Sequence, residues 1–445
     1  MAQKRETFTS NFGLLMTMIG AAVGLGNVWR FPYMVGKFGG GAFVFIYILA
    51  VLVIGIPALM CEWTLGRYTQ RGTLGAFKKG GFPGGKYVGV FFFCIVIIAA
   101  GYYSVLIGWV GCHALGEIAK AFNLDFKANA ILPPGEGFVP TSFILQLIAT
   151  AIVTGACGLV LAFGLRKGIE KVSKFIMPCL FISLIILIIR AVTLPGASEG
   201  LKWYIWDFRI SDINSSTFAF ALGQAVFSMS LGGTFMVIYG SYLNKSANIP
   251  KNAILTGLGD TFAGLLAGLA IFPAVFALGL EPTAGPGLIF DTLPSTFTKM
   301  PIGWLFGAIF FVGLLGAAIL SNIAALEVLV GGLIDNTKIR RVKAVLLICL
   351  IVFIFSVPPM INMKIFIPWD LTFGSGMQTL GALLTVITTV WCIKRSNALK
   401  EFALGGGKPF PIFLYWWMRL VIPAAIIFAA IWWMLENVFQ KIKLT

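Results

Sequence analysis

Charge is what this sequence has least of. Of its 445 residues only 11% are charged, 58% are hydrophobic, and the mean hydropathy is +0.93. Soluble globular chains carry about 25% charged residues. A soluble core is therefore excluded as the main destination of these side chains, and lipid is the solvent the composition implies. Histidine is nearly absent: His113 stands alone, which excludes His-based metal sites and His-dependent triads. The seven cysteines (Cys61, Cys94, Cys112, Cys157, Cys179, Cys349 and Cys392) are odd in number, include no CxxC, and lie within or beside apolar stretches. They read as small buried apolar residues and not as a disulfide framework or metal site. Acids are scarce as well, 17 against 33 Lys and Arg, for a formal net charge of +16. On a soluble fold such a balance suggests nucleic acid. Here the basic residues sit in short loops between apolar stretches, where they set membrane orientation, so no nucleic-acid partner is expected. An intramembrane enzyme would gather His, Asp, Glu or Cys at one depth; paired carboxylates are missing, and no enzyme is expected. The start Met1-Ala2-Gln3-Lys4-Arg5 is basic, but no small-residue cleavage site follows, so a signal peptide is not expected either.

What is present is a series of apolar stretches, each long enough for the 17–25 residues a membrane helix needs. They fall near residues 10–35, 41–66, 87–118, 141–164, 170–192, 216–241, 252–279, 303–334, 342–359, 372–394 and 411–435. The expectation is an all-α polytopic membrane protein of about eleven spans, a single integral domain over residues 1–445. With the N-terminus in the cytoplasm, most Lys and Arg fall on cytoplasmic segments, among them Lys4, Arg5, Arg67, Arg71, Lys78, Lys79, Arg166, Lys338, Arg340 and Lys394. That bias orients the chain and leaves the C-terminal tail outside.

Two spans are wrong for continuous helices. The first carries Gly20, Gly24, Gly26 and Asn27 ahead of Arg30-Phe31-Pro32; the sixth carries Gly223-Gln224-Ala225-Val226-Phe227-Ser228-Met229-Ser230-Leu231-Gly232-Gly233. Glycine inside a helix costs roughly 1 kcal/mol relative to alanine, and polar groups at that depth need partners. Small residues also serve close helix packing. Gly-interrupted spans at corresponding places in two halves, however, point to a transport site between inverted repeats. The expected division is residues 10–192 and 216–394 as five-span repeats, with 411–435 added.

The run Gly20-Ala21-Ala22-Val23-Gly24-Leu25-Gly26-Asn27-Val28-Trp29-Arg30-Phe31-Pro32-Tyr33 resembles the first-span signature of the neurotransmitter:sodium symporter family, in its bacterial, leucine-transporter-like branch. Gly39–Phe43, Gly55-Ile56-Pro57 through Glu62, Gly66-Arg67, Leu194–Lys202, the Gly223–Gly233 run, Gly259-Asp260-Thr261 and Glu281-Pro282 through Leu288 continue it in order. The resemblance implies two inverted five-helix repeats, with helices 1 and 6 unwound at mid-membrane around substrate and sodium.

It also implies a site, residue by residue. The substrate would contact Ala22, Gly24, Leu25, Gly26, Ala99, Tyr103, Phe227, Ser228, Ser230, Gly233, Ser321 and Ala325. The Tyr103 hydroxyl would take the carboxylate. Small residues at Ala99, Gly233 and Ala325 would leave room for a large apolar or aromatic side chain. A first sodium would be held by Ala22, Asn27, Ser228 and Asp260, although Asp260, following Gly257-Leu258-Gly259, would also serve as a helix cap. An acid at this position supplies the negative charge that other members recruit as chloride, so no chloride requirement is expected. A second sodium would use Gly20, Val23, Ala317 and Ser321, but Leu320 stands where the family carries a hydroxyl, so one or two ions are expected. Arg30 with Asp370, and Arg5 with Asp335, would form the outer and inner gates.

The function this implies is sodium-coupled uptake of an amino acid across a bacterial inner membrane by alternating access, with no obligatory protein partner. A proton-coupled amino acid transporter of the same architecture is the alternative, kept open by Leu320 and by Asp260 as a proton carrier. A channel or receptor differs in lacking concentrative uptake.

Overall fold

The computed structural model describes residues 5–208, 210–280 and 288–437. Lys4 of the basic start and the Glu281–Gly287 part of the family pattern lie outside the described residues. Among the described residues nine unbroken helices are long and apolar enough to cross a membrane: Gly41–Thr69, Gly85–Ala121, Pro140–Ala162, Leu165–Val192, Ile249–Ala277, Gly303–Asn336, Arg341–Met360, Met363–Cys392 and Ile412–Leu435. Two of the expected spans are interrupted. The first is Asn11–Ala22 followed by Gly26–Phe38, bent by 54° at the break. The sixth is divided into Ser215–Ser228 and Phe235–Gly240, of 14 and 6 residues, neither long enough to cross alone.

Local chemistry sets these ends. The first helix starts on Ser10, whose hydroxyl accepts the Gly13 N–H at 3.0 Å, a side-chain N-cap. It stops where Val23 turns extended (φ −69°, ψ 120°). The sixth span stops at Ser228, and its break passes through left-handed backbone at Ser230 (φ 52°), Gly232 (φ 85°) and Thr234 (φ 59°). Gly232 is required there: a Cβ on it would stand 1.6 Å from the Gln378 carbonyl of the tenth span.

Burial separates centre from rim. The most apolar windows of Gly41–Thr69 and Ile249–Ala277 are 67% and 72% buried, those of Leu165–Val192 and Ile412–Leu435 only 28%. On the rim, Ile144, Ile148, Ile152 and Leu159 expose one face of Pro140–Ala162, the stripe a lipid-facing helix presents. The two broken spans are enclosed by the central helices. Irregular backbone survives at membrane depth only in such protein-lined surroundings.

Candidate functional site

The two breaks face each other and are tied by side chains. Gln224 Nε2 donates to the Gly26 carbonyl at 2.9 Å, and Ser230 Oγ to the Ala21 carbonyl at 2.9 Å. Each bond joins one interrupted span to the other and satisfies a carbonyl beside the first break. Between the breaks lies a cavity lined by Ala22, Gly24, Gly26, Ala99, Tyr103, Phe227, Ser230, Ser321 and Ala325, all expected from the sequence, and by Ala100, Tyr102, Phe235 and Gln378, which were not. It encloses about 60 Å³, on a scale where one water takes roughly 10–15 Å³. Leu25, Ser228 and Gly233 do not line it. Leu25 instead donates its N–H to the Tyr103 hydroxyl at 3.3 Å. The close approach at Gly24 needs glycine, because a Cβ there would meet Ser321 Oγ at 2.5 Å and Tyr103 Oη at 2.9 Å.

Behind the cavity wall three of the residues expected at the first sodium site, Asn27, Ser228 and Asp260, come together, while the fourth, Ala22, lines the cavity. Asn27 Nδ2 reaches Ser228 Oγ at 2.9 Å, the Asp260 carbonyl at 3.0 Å and Asp260 Oδ1 at 2.8 Å. Ser228 Oγ donates to Asp260 Oδ2 at 2.5 Å, and Tyr47 Oη lies 3.1 Å from the same hydroxyl. Asn27 Oδ1 accepts the Gly24 N–H at 3.1 Å, so the amide also braces the break. Asp260 and Asn27 are both fully buried. Asp260 is not a helix cap: it lies well inside Ile249–Ala277, whose N-cap is Asn248, accepting the Lys251 N–H at 3.0 Å. Among the described residues no Lys or Arg pairs with Asp260. A buried carboxylate without a countercharge is costly, and the oxygens gathered here (carboxylate, hydroxyl and backbone carbonyl) are those a small hard cation takes, while Asn27 turns its amide nitrogen to them and its oxygen to the Gly24 N–H. As a donor set, the residues present fit sodium.

The second expected site is partly assembled. Ser321 Oγ lies 3.1 Å from the Val23 carbonyl and 3.4 Å from that of Ala317. Gly20 faces Leu320: a Cβ on Gly20 would meet Leu320 Cδ1 at 2.8 Å. An apolar branch thus stands on the side of the site where a hydroxyl would be needed.

Of the two expected gates, one is paired. Arg5 Nη1 reaches Asp335 Oδ1 at 2.8 Å and Oδ2 at 2.9 Å, with its guanidinium 5.0 Å from the Tyr242 ring centre. Arg30 and Asp370 border one small cavity but, among the described residues, form no ion pair. Arg30 Nη1 donates instead to Ser375 Oγ at 2.7 Å, and the guanidinium lies 4.3 Å from the Phe227 ring centre.

Several residues of this region have roles that the sequence did not assign. Glu62 is fully buried, and its Oε1 accepts the Gly232 N–H at 2.6 Å, bracing the sixth-span break from the second span. An acid within an apolar span was the available signal. Gln224 carried the same signal as a polar group at membrane depth, though not its partner; Tyr47 carried none, since a tyrosine in a span has many structural uses.

Comparison with known proteins agrees with this geometry. A sodium-dependent transporter of Bacillus subtilis, YhdH, is 34% identical over 450 residues, covering 96% of this chain and 97% of its own. The human sodium- and chloride-dependent creatine transporter 1 is 28% identical, with 93% of this chain and 74% of that one covered. Among solved structures, that of MhsT in complex with L-phenylalanine superposes with a TM-score of 0.82 at 31% identity, covering 96% of this chain and 99% of that one. The profile of the sodium:neurotransmitter symporter family matches residues 5–123 and 141–443, and the chain belongs to that family, a sodium-dependent transporter with multiple apolar membrane helices.

Proposed function

We propose that this chain couples sodium to the uptake of an amino acid with a large apolar or aromatic side chain. The observation that carries the reading is the fully buried Asp260 carboxylate, facing Asn27 and Ser228 with no cationic partner among the described residues, beside a cavity set between two helix breaks. The free N–H groups and positive dipole end of a half-helix suit the substrate carboxylate, and the Tyr103 hydroxyl would add a hydrogen bond. Sodium at Ala22, Asn27, Ser228 and Asp260 would neutralise the buried acid. Ala99 and Ala325 keep the side-chain end of the cavity open, and the relative MhsT was solved with L-phenylalanine.

On this reading the protein lies in a bacterial inner membrane with its N-terminus cytoplasmic. Residues 10–192 and 216–394 form the inverted repeats and 411–435 an added span; Arg5–Asp335 is the inner gate and Arg30–Asp370 the outer. Asp260 makes chloride dispensable, and the second sodium site is weakened by Leu320.

Coupling is reciprocal: sodium should tighten amino acid binding, and Asp260→Ala should remove that effect. The test is a panel of amino acids bound to purified protein in sodium and in potassium. Equal affinity in the two salts would sink the symport reading. A proton-coupled cycle is favoured by two features, Leu320 at the second site and Asp260 as a proton carrier. It predicts that uptake fails when the proton gradient is collapsed under a clamped sodium gradient, where a sodium symporter continues.

A further inference from the structure

The glycine at 233 does not leave the empty space its small size suggests. A Cβ built on Gly233 would lie 2.5 Å from both Cε2 and Cζ of the Phe235 ring, and it is Phe235 that lines the cavity. The ring starts from the first residue of the helix Phe235–Gly240 and reaches back across the break, only 8% exposed. The residue that aims it is Thr234, held at φ 59°, a left-handed conformation costing a side-chain-bearing residue roughly 1–2 kcal/mol. Two contacts hold the turn in place. Thr234 Oγ1 lies 2.5 Å from Thr73 Oγ1, and the Gly232 N–H is bonded to Glu62.

We infer that Phe235 is a specificity-determining residue at the floor of the cavity, its ring standing in for the side chain that Gly233 lacks. The two residues act as a unit: a glycine at 233 makes room for the ring, and the strained Thr234 delivers it. This assignment rests on the amino acid reading above and refines it. The substrate side chain meets an aromatic surface, and the length it can have is set by Phe235.

Sodium-dependent binding of valine, leucine, phenylalanine and tryptophan to the purified full chain tests the assignment. Phe235→Ala deepens the cavity and should raise the tryptophan-to-valine affinity ratio about tenfold, the scale on which pocket size discriminates. Gly233→Phe alone places two rings in one space and should weaken all four ligands. Combining Gly233→Phe with Phe235→Ala should return the ratio towards that of the unmodified chain. Should Phe235→Ala fail to fold, Phe235→Leu should move the ratio the same way by a smaller factor. An unchanged ratio in variants that still bind in sodium overturns the assignment while leaving the amino acid reading intact. Absence of sodium-dependent binding of any of the four to the unmodified chain overturns that reading, and this assignment with it.

Discussion

At the scale of single residues, charge without a countercharge decides most of the argument. On the proposed reading Asp260 supplies the negative charge of the site, so replacing chloride by gluconate should leave sodium-dependent affinity unchanged. A loss of affinity in chloride-free buffer would mean that Asp260 does not serve in chloride's place. Leu320 makes the complementary point. It sets an apolar branch against Gly20, where the proposed second sodium site would need an oxygen. Leu320→Thr should therefore steepen the sodium dependence of binding, moving a Hill coefficient near one towards two; no change would mean the site fails for another reason. Asp260 was singled out in the sequence through the family resemblance, and an acid in an apolar span demands a partner in any case. The helix-cap alternative fell only when the helix was seen to begin at Asn248, since glycines before an acid are equally at home in a span packed closely on its neighbours. Tyr47 was not legible, and Gln224 only as a polar group in need of a partner, because their roles depend on which helix each faces.

At the scale of elements, the breaks are the informative parts. Both were legible from glycine and polar residues where a continuous helix would avoid them, as was the approximate place of each span. Their internal geometry was not. That the Phe235 ring fills the space beside Gly233 depends on one left-handed residue, Thr234, and threonine carries no marker of that conformation. Close approach of helices to the sixth-span break is likewise invisible in a sequence rich in glycine. Here it is severe. A Cβ on Gly66 would stand 2.0 Å from the Val237 carbonyl, and one on Gly240 2.6 Å from Trp63 Cα. The second span and the helix Phe235–Gly240 therefore meet backbone to backbone, with glycine on each side of the contact. Overpacking of this kind costs typically 1–3 kcal/mol. Gly66→Ala should lower the Tm of the purified protein by several degrees, whereas Gly155→Ala, where nothing lies within 4 Å of an added Cβ, should leave it nearly unchanged. Equal effects at the two positions would show that the contact carries no stability.

For the whole molecule, the two ends of the transport path differ in how firmly they are held. At the end marked by Arg5, a chain of contacts runs from the N-terminal segment into the eighth and ninth spans. Arg5 pairs with Asp335 and covers Tyr242, whose hydroxyl donates to Glu327 at 2.5 Å, and Glu327 pairs with Arg341 at 2.5 Å. The same segment is strapped to the fifth span: the Leu165 N–H donates to Glu6 at 2.7 Å, and the Thr9 N–H to Glu170 at 3.0 Å. At the other end, Arg30 holds one serine hydroxyl and one aromatic face, and Asp370 is left unpaired with it. On the proposed alternating-access reading, the Arg5 set is what must break for that end to open, and it is the stronger of the two. A charge-assisted hydrogen bond contributes roughly 1.5–3 kcal/mol, equivalent to about a tenfold or greater shift between closed and open forms. Asp335→Asn should accordingly speed amide hydrogen exchange over the helix Asn11–Ala22 in sodium-free buffer. Substrate affinity should fall with it, because the binding-competent form becomes a smaller fraction of the whole. Arg30→Ala removes a contact at the opposite end and should leave exchange in Asn11–Ala22 unaltered. If Asp335→Asn leaves that exchange unchanged as well, the Arg5–Asp335 pair is not what holds this end closed, and the strap to the fifth span through Glu6 and Glu170 must bear the closure.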